Sequence, residues 1–421
     1  MYLKLVFYFL LTFISPALTL YLSFKEKNLQ IRKWVIVSFF TVFGSLIQLS
    51  PSNDGAKYIE VVEQYYYSMN FGQFLQGLLN IIRLTPDFYQ RGDPYVHIVS
   101  YISGGILQNS TFFFIIVSFV YGYFYVSSLL KVFYKYSIKN KTFLIVFIGV
   151  ALVAWEGIEG VNTVRTWTGA WVLFYAVFNY FETKNIKYLI LVALCPMIHF
   201  AYFIITIPVW FVVIFGIHKK LYIFLFLFSF SFTFNTAINA VQFIGNSSVL
   251  GEGRVSAYDQ GQEYYQNEIV KNEKRTWYAT LGAKTRYTAL FLIIFILLLQ
   301  GNYLKSMTKL EQYLFSVVLL MVFIANFSSI IPAMKFRTLR NAGIYILALV
   351  FLLLADNRFY TVKSFKPIVD LAFGIALVLL SIFLIYKTAD IIYFTSVFIF
   401  LSPLIPWVFN DFNFSIRELL R

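Results

Sequence analysis

Apolar runs long enough to cross a membrane recur along the whole chain, and most end in a short turn carrying Lys or Arg. The hydrocarbon core of a bilayer takes about 20 apolar residues per helix. Inside it every backbone N–H and C=O must be paired within the segment, so such runs must be helices. The pattern therefore demands one class of fold: all-α, a polytopic integral membrane protein with about 12–14 transmembrane helices. Only 13% of the residues are charged. Soluble domains carry about 25%, so most of this chain faces lipid or other helices.

Charge distribution narrows the partners. The net charge of +14 lies mostly in short loops between apolar runs, where it orients a membrane protein. No basic cluster accompanies a soluble domain, so no nucleic-acid partner is expected; the partner implied by composition is the lipid bilayer. The single cysteine, Cys195, lies inside an apolar run, which leaves no internal disulfide and no cysteine metal set. No Walker loop, H-E-x-x-H, Cys/His set or G-x-S-x-G is present, so no cofactor and no metal site is expected.

Read in order, residues 1–421 form a single transmembrane domain with two large outer loops, 50–93 and 245–286. Span one covers Leu3–Phe24, followed by Lys25–Lys33, with four basic residues and one acid; that turn is expected inside the cell. Trp34–Leu49 leads to the first outer loop, within which Phe71–Leu84 has helical apolar spacing and reads as an interfacial helix. Tyr95–Leu107 reads as a short interfacial or re-entrant helix, because Lys131–Lys141, with four Lys and no acid, demands an odd number of crossings before it. Thr142–Trp155 and Thr166–Phe181 are spans. Tyr188–Gly216 has basic residues at both ends and is expected to be a hairpin turning near His199–Tyr202. Later spans are Leu221–Ile244, Tyr287–Gln300, Leu310–Ile331, Asn341–Ala355, Pro367–Tyr386 and Ile391–Phe409. Pro332–Arg340 reads as an outer loop whose three basic residues break the charge rule.

That anomaly selects the candidate site. Arg165, Lys335, Arg337 and Arg340 are all placed at the outer face, where nothing in the charge rule calls for them. An arginine at a helix start is often an anchor with a snorkelling stem. A cluster of cations near the membrane instead asks for an anion, and arginine forks suit phosphate oxygens. Glu156 and Glu159 are the nearest internal alternatives. His199, after C-P-M-I and at the same level as Arg165, is either a packed histidine or a group that accepts a hydroxyl proton. Asp54, in S-N-D-G, is either a turn residue or a carboxylate base. Asp93, in R-G-D-P-Y, carries the same ambiguity, a helix start or a carboxylate base, or else, with Tyr58 and Tyr95, a glycan contact. Loop aromatics such as Tyr65, Tyr66, Tyr67, Tyr264, Tyr265 and Trp277 suit sugar faces and interfacial anchoring equally.

Five stretches carry a family resemblance: N-D-G-A-K-Y after span two, D-P-Y-V-H-I-V-S-Y-I, N-T-V-R-T-W-T-G-A, C-P-M-I-H-F-A-Y-F and F-R-T-L-R-N-A-G-I-Y. In that order, from Asp54 to Tyr345, they resemble the EpsG/Wzy group of bacterial polysaccharide polymerases. The chain differs from the usual pattern at Trp167 and Thr168, where small or aliphatic residues follow the arginine, and at Ala201. The resemblance implies a GT-C-like helical bundle in the bacterial cytoplasmic membrane, with an active site facing outward. It implies joining undecaprenyl-pyrophosphate-linked oligosaccharide repeat units, donor and acceptor alike, into a surface polysaccharide such as O-antigen, capsule or exopolysaccharide. Flippase and chain-length-regulator proteins are implied partners. The roles implied are Arg165, Arg337, Arg340 and Lys335 on pyrophosphate, with His199 or Asp54 as base and Arg165 at the reacting centre. Rival readings are a polyprenyl-phosphate-sugar glycosyltransferase, an O-antigen ligase, a membrane acyltransferase and a lipid-linked oligosaccharide flippase. The scarcity of mid-span charge speaks against the last.

Overall fold

A computed structural model describes residues 2–49, 54–83, 93–136, 142–231, 277–299, 306–329, 331–358, 366–409 and 413–419, with positions 85 and 138 besides. Its elements are α1 (Tyr2–Ile14), α2 (Pro16–Lys25), α3 (Leu29–Leu46), α4 (Asp54–Val61), α5 (Phe71–Ile82), α6 (Pro94–Ser100), α7 (Thr111–Phe133), α8 (Phe143–Trp155) and α9 (Arg165–Thr183). They continue as α10 (Lys187–Ile198), α11 (Tyr202–Ile205), α12 (Ile207–Phe215), α13 (Lys219–Phe228), α14 (Trp277–Leu299), α15 (Lys309–Phe327), α16 (Pro332–Ala355) and α17 (Lys366–Phe394). The expected all-α fold is what forms. Seven helices among the described residues are long and apolar enough to span a membrane, and four apolar helices are shorter: 2–14, 71–82, 187–198 and 202–215.

Ion pairs across the bundle sort the helix ends into two sets. Lys131 and Lys135, at the end of α7, meet Glu182 at the end of α9. Glu311 at the start of α15 meets Arg358 just past α16, and Tyr136 donates to the same carboxylate at 3.0 Å. At the opposite end, Glu156 after α8 meets Arg286 of α14 and Arg340 of α16. Lys387, late in α17, meets Glu159 there. These pairs make α7, α8, α9, α14, α15, α16 and α17 run up and down between a Lys135 end and an Arg165 end.

Several expected boundaries move, each for a local or tertiary reason. The N-terminal run is two helices, not one span: Ser15 is extended and Pro16, with no N–H to donate, starts α2. The stretch Pro332–Arg340 is not a loop but the first turns of α16, opened by Pro332 at its first position. Pro367–Tyr386 and the start of Ile391–Phe409 form one helix, α17, and the remainder breaks into short turns. The expected break, at Lys387, is unnecessary because Lys387 is buried against Glu159. Helix α14 begins at Trp277, inside the expected second loop; the rest of that loop, with Tyr264 and Tyr265, and the end of span Leu221–Ile244 lie outside the described residues.

Other expected helices form. Phe71–Ile82 is a helix with a capping box from Asn70 and Gln73, and Phe71, Leu75, Leu79 and Ile82 leave apolar side chains exposed along it. The stretch from Pro94 is short, α6 running into a wide π turn, Tyr101–Ile106. The hairpin also forms: α10 packs along α9 and ends at Ile198, while α12 returns to Gly216 and packs along α15. One close approach ties α8 to α16. Gly343 lies under the Trp155 ring, where a Cβ would clash, and Trp155 Nε1 donates to the Arg340 carbonyl at 2.7 Å. Small residues let helices in a membrane approach this closely.

Candidate functional site

Three segments converge at the Arg165 end. The first is the corner between α8 and α9. A 3-10 turn, Ile158–Thr163, leads to Val164 at φ 44°, a conformation that strains a β-branched residue. Arg165 follows as the first residue of α9, with no side-chain cap. The corner is pinned from the core: Tyr121 Oη lies 2.6 Å from the carbonyl oxygens of Glu156 and Gly157, and Trp171 Nε1 donates to the Glu156 carbonyl at 3.1 Å. Asn162 of this corner also meets Gly55, so closely that a Cβ there would clash. The start of α4, and with it the backbone of Asp54, therefore borders the corner. The side chain of Asp54 lies outside the described part.

The second segment is the hairpin tip. Pro196 inside α10 removes a donor from the last turn. The helix stops at Ile198, and His199 is extended at φ −156°, ψ 125°. The third is the start of α6, where Asp93 precedes Pro94 and takes the extended conformation that proline favours before it. Asp93 occupies the cap position, yet its side chain caps nothing. It turns instead to the other two segments. Arg165 Nη1 donates to Asp93 Oδ2. His199 Nδ1 lies 3.3 Å from Asp93 Oδ1, and the Phe200 N–H donates to the same oxygen at 2.9 Å. The Asp93 side chain is 2% exposed, His199 9% and Arg165 24%, so the arginine is the member nearest the surface.

Electrostatics follow from this packing. Burial opposes the charge on Asp93, but the hydrogen bond with His199 and the Arg165 guanidinium outweigh it and hold the carboxyl below its usual range. His199 is driven the other way. Burial pushes its imidazole below the ordinary histidine range; Asp93 pulls it up, while Arg165 and Arg337 push it down. The histidine is thus kept neutral. Its Nε2 is buried and has no hydrogen-bond partner among the described residues.

A second buried cluster lies in the same end. Glu156, wholly buried, receives both the Nε and Nη2 of Arg340 and the Nη2 of Arg286. Arg340 lies 3.6 Å over the Trp167 ring, and Arg286 lies 4.2 Å over Trp155 and 4.9 Å over Phe383. Trp167, one of the departures from the family pattern, is therefore the platform under Arg340.

The predicted residues fall into distinct groups. Arg165 and His199 are brought together, and Arg337 is near enough for its charge to bear on His199. Arg340 is paired with Glu156, the internal alternative noted from sequence. Lys335 is half-buried on the same helix. Tyr58 is buried and stacked on Phe113 with ring centroids 5.5 Å apart, and the Tyr95 hydroxyl is buried beside Thr168. Sequence reasoning missed Arg286, hidden in the count of loop charges, and His97, four residues past Asp93. His97 Nδ1 lies 2.7 Å from Tyr66 Oη and its Nε2 lies 3.0 Å from the Phe74 carbonyl, which fastens α5 to α6. Among the described residues no group of three His, Cys, Asp or Glu side chains is placed to hold a metal ion.

Fold and site together define a class: a polytopic helical membrane protein with an acid, a histidine and arginines converging at one end of the bundle. The EpsG family model matches residues 31–396, a stretch that holds every member of both clusters, and the chain belongs to the EpsG family. That family is one of glycosyltransferase-like polysaccharide polymerases. No curated protein and no solved structure matches the chain.

Proposed function

We propose that this protein joins undecaprenyl-pyrophosphate-linked oligosaccharide repeat units into a surface polysaccharide at the outer leaflet of the bacterial cytoplasmic membrane. The observation that carries the reading is His199 Nε2, buried and without a hydrogen-bond partner among the described residues, beside Arg165 and within the field of Arg337. A buried polar atom left unpaired costs about 1–3 kcal/mol, and substrate is the natural partner for it. In the reaction, an acceptor sugar hydroxyl loses its proton to His199 Nε2 as its oxygen bonds to the anomeric carbon of the growing chain. The bond from that carbon to the pyrophosphate oxygen breaks, and both electrons leave with undecaprenyl pyrophosphate. Arg165, Arg337 and Lys335 supply the positive field in which the leaving group departs. Arg340, already paired with Glu156, acts on that field from farther back.

Orientation is supported by charge. The Lys135 end gathers Lys25, Arg32, Lys131, Lys135, Lys184, Lys187 and Lys309, which the positive-inside rule assigns to the cytoplasm. The Arg165 end then faces outward, where a flippase delivers the lipid-linked unit and a chain-length regulator acts on the product. The test is a deletion strain complemented with wild type or His199→Gln, with lipid-linked glycans separated on a gel and protein level followed alongside. Single repeat units accumulating in the deletion and with His199→Gln, but not with wild type, support the reading. Carriers bearing incomplete repeat units would instead make it a transferase, and units trapped on the cytoplasmic leaflet a flippase.

A further inference from the structure

Asp93 sits where a helix-capping carboxylate would sit, and it does not cap. Its two oxygens are spent on other segments: Oδ2 on Arg165 of α9, Oδ1 on the Phe200 N–H and on His199 Nδ1 of the hairpin tip. We propose that Asp93 is the positioning residue of the site, aiming His199 at the acceptor hydroxyl and holding Arg165 until the pyrophosphate arrives. This rests on the polymerase reading above and assigns it a residue with two separable effects.

The first effect is on the histidine. An ionised carboxylate only accepts hydrogen bonds, so the imidazole proton facing it lies on Nδ1. That leaves the lone pair on Nε2, the atom without a partner among the described residues. An acid behind a histidine fixes tautomer and ring orientation in this way. The second effect is on the arginine. Arg165 is already neutralised by a carboxylate 2% exposed, so an arriving pyrophosphate competes with Asp93 for it. The same carboxylate therefore weakens binding of the leaving group and speeds the transfer. Removing its charge while keeping its shape must move the two in opposite directions, which loss of a merely structural acid cannot do.

A pH signature accompanies the split. His199 is faced by Asp93 at the start of α6, Arg165 of α9 and Arg337 of α16, with Cys195 and Tyr202 flanking it on the hairpin. Transfer needs the neutral imidazole and fails as pH falls through its pKa. Asp93 is the member that raises that pKa, so without its charge the acidic limb moves to lower pH.

Full-length wild type, Asp93→Asn and Asp93→Glu in lipid nanodiscs test this, with an undecaprenyl-pyrophosphate-linked repeat unit as substrate and undecaprenyl pyrophosphate as binding probe. Asp93→Asn is expected to lower kcat by about 100-fold or more, to tighten Kd for the probe several-fold, and to shift the acidic limb downward. Asp93→Glu, which keeps the charge on a longer stem, is expected to retain the wild-type Kd and lose about tenfold in kcat. A folded Asp93→Asn protein with kcat within about twofold of wild type, or with weaker probe binding, overturns the inference. Should Asp93→Asn not fold, Asp93→Glu decides: kcat equal to wild type overturns the inference, and the tenfold loss at unchanged Kd supports it. If wild type binds the probe yet elongates nothing, the polymerase reading fails, and the shift in probe affinity alone judges Asp93.

Discussion

Two of the buried carboxylates at the Arg165 end of the bundle are answered very differently. Glu156 is enclosed by Arg286 and Arg340, whose guanidinium groups lie on the faces of Trp155, Trp167 and Phe383. That cluster fastens five segments, α8, α9, α14, α16 and α17: one carboxylate and three ring faces hold two guanidinium groups, with Arg286 Nε lacking a hydrogen-bond partner among the described residues. Asp93 is answered by Arg165 and His199, and beyond the histidine His199 Nε2 meets no hydrogen-bond partner among the described residues. A closed network, its ionised groups held by one another and by ring faces, stiffens a membrane bundle; an open one ends on a neutral histidine nitrogen and offers that atom to a ligand. Two acids of equal burial and similar partners are thus separated by what their partners do next.

The largest effect expected is on the closed cluster. Glu156→Ala leaves two guanidinium groups buried without their counter-ion, a loss of about 3–5 kcal/mol, a large part of the 5–15 kcal/mol that holds a typical domain. Thermal unfolding in detergent should show a much lower midpoint and poor yield; a wild-type midpoint would remove the distinction drawn between the clusters. His199→Gln, on the open side, should leave the midpoint nearly unchanged and cut turnover by about 10²–10⁴-fold. A matching fall in stability would make His199 a packing residue. Gly343→Ala sharpens the closed side, because a Cβ meets the Trp155 ring; overpacking of about 1–3 kcal/mol should lower the midpoint while pyrophosphate-probe binding at Arg165 stays intact. Tyr66→Phe is the smallest. It removes the hydroxyl on His97 Nδ1, costs about 1 kcal/mol, and should raise hydrogen exchange in α5 more than in α9.

Much of the fold was legible because membrane physics acts locally. The apolar runs, the basic turns at one end, the hairpin tip at His199 and the amphipathic helix from Phe71 each follow from a short window of residues. The misreadings share a cause. Lys335, Arg337 and Arg340, in the first turns of α16, read locally as a loop, and Lys387, inside α17, falls between two expected spans, because charge is costly in an apolar helix. For Lys387 and Arg340 that cost is met by Glu159 and Glu156, which arrive from more than 180 positions away. No local window contains both partners.

The site divides along the same line. From residue types alone, Arg165 and His199 could be placed at one level of the bundle, since helix length and turn charge fix depth. Asp93 could be noticed only as an ambiguous helix start, and Arg286 and His97 not at all. The sequence by itself determined an all-α membrane fold, the family and the level at which the cations lie, because hydrophobic length and turn chemistry are properties of neighbours. Only the tertiary structure decided which acid meets which cation, because a buried ion pair depends on the packing of segments that share no stretch of chain.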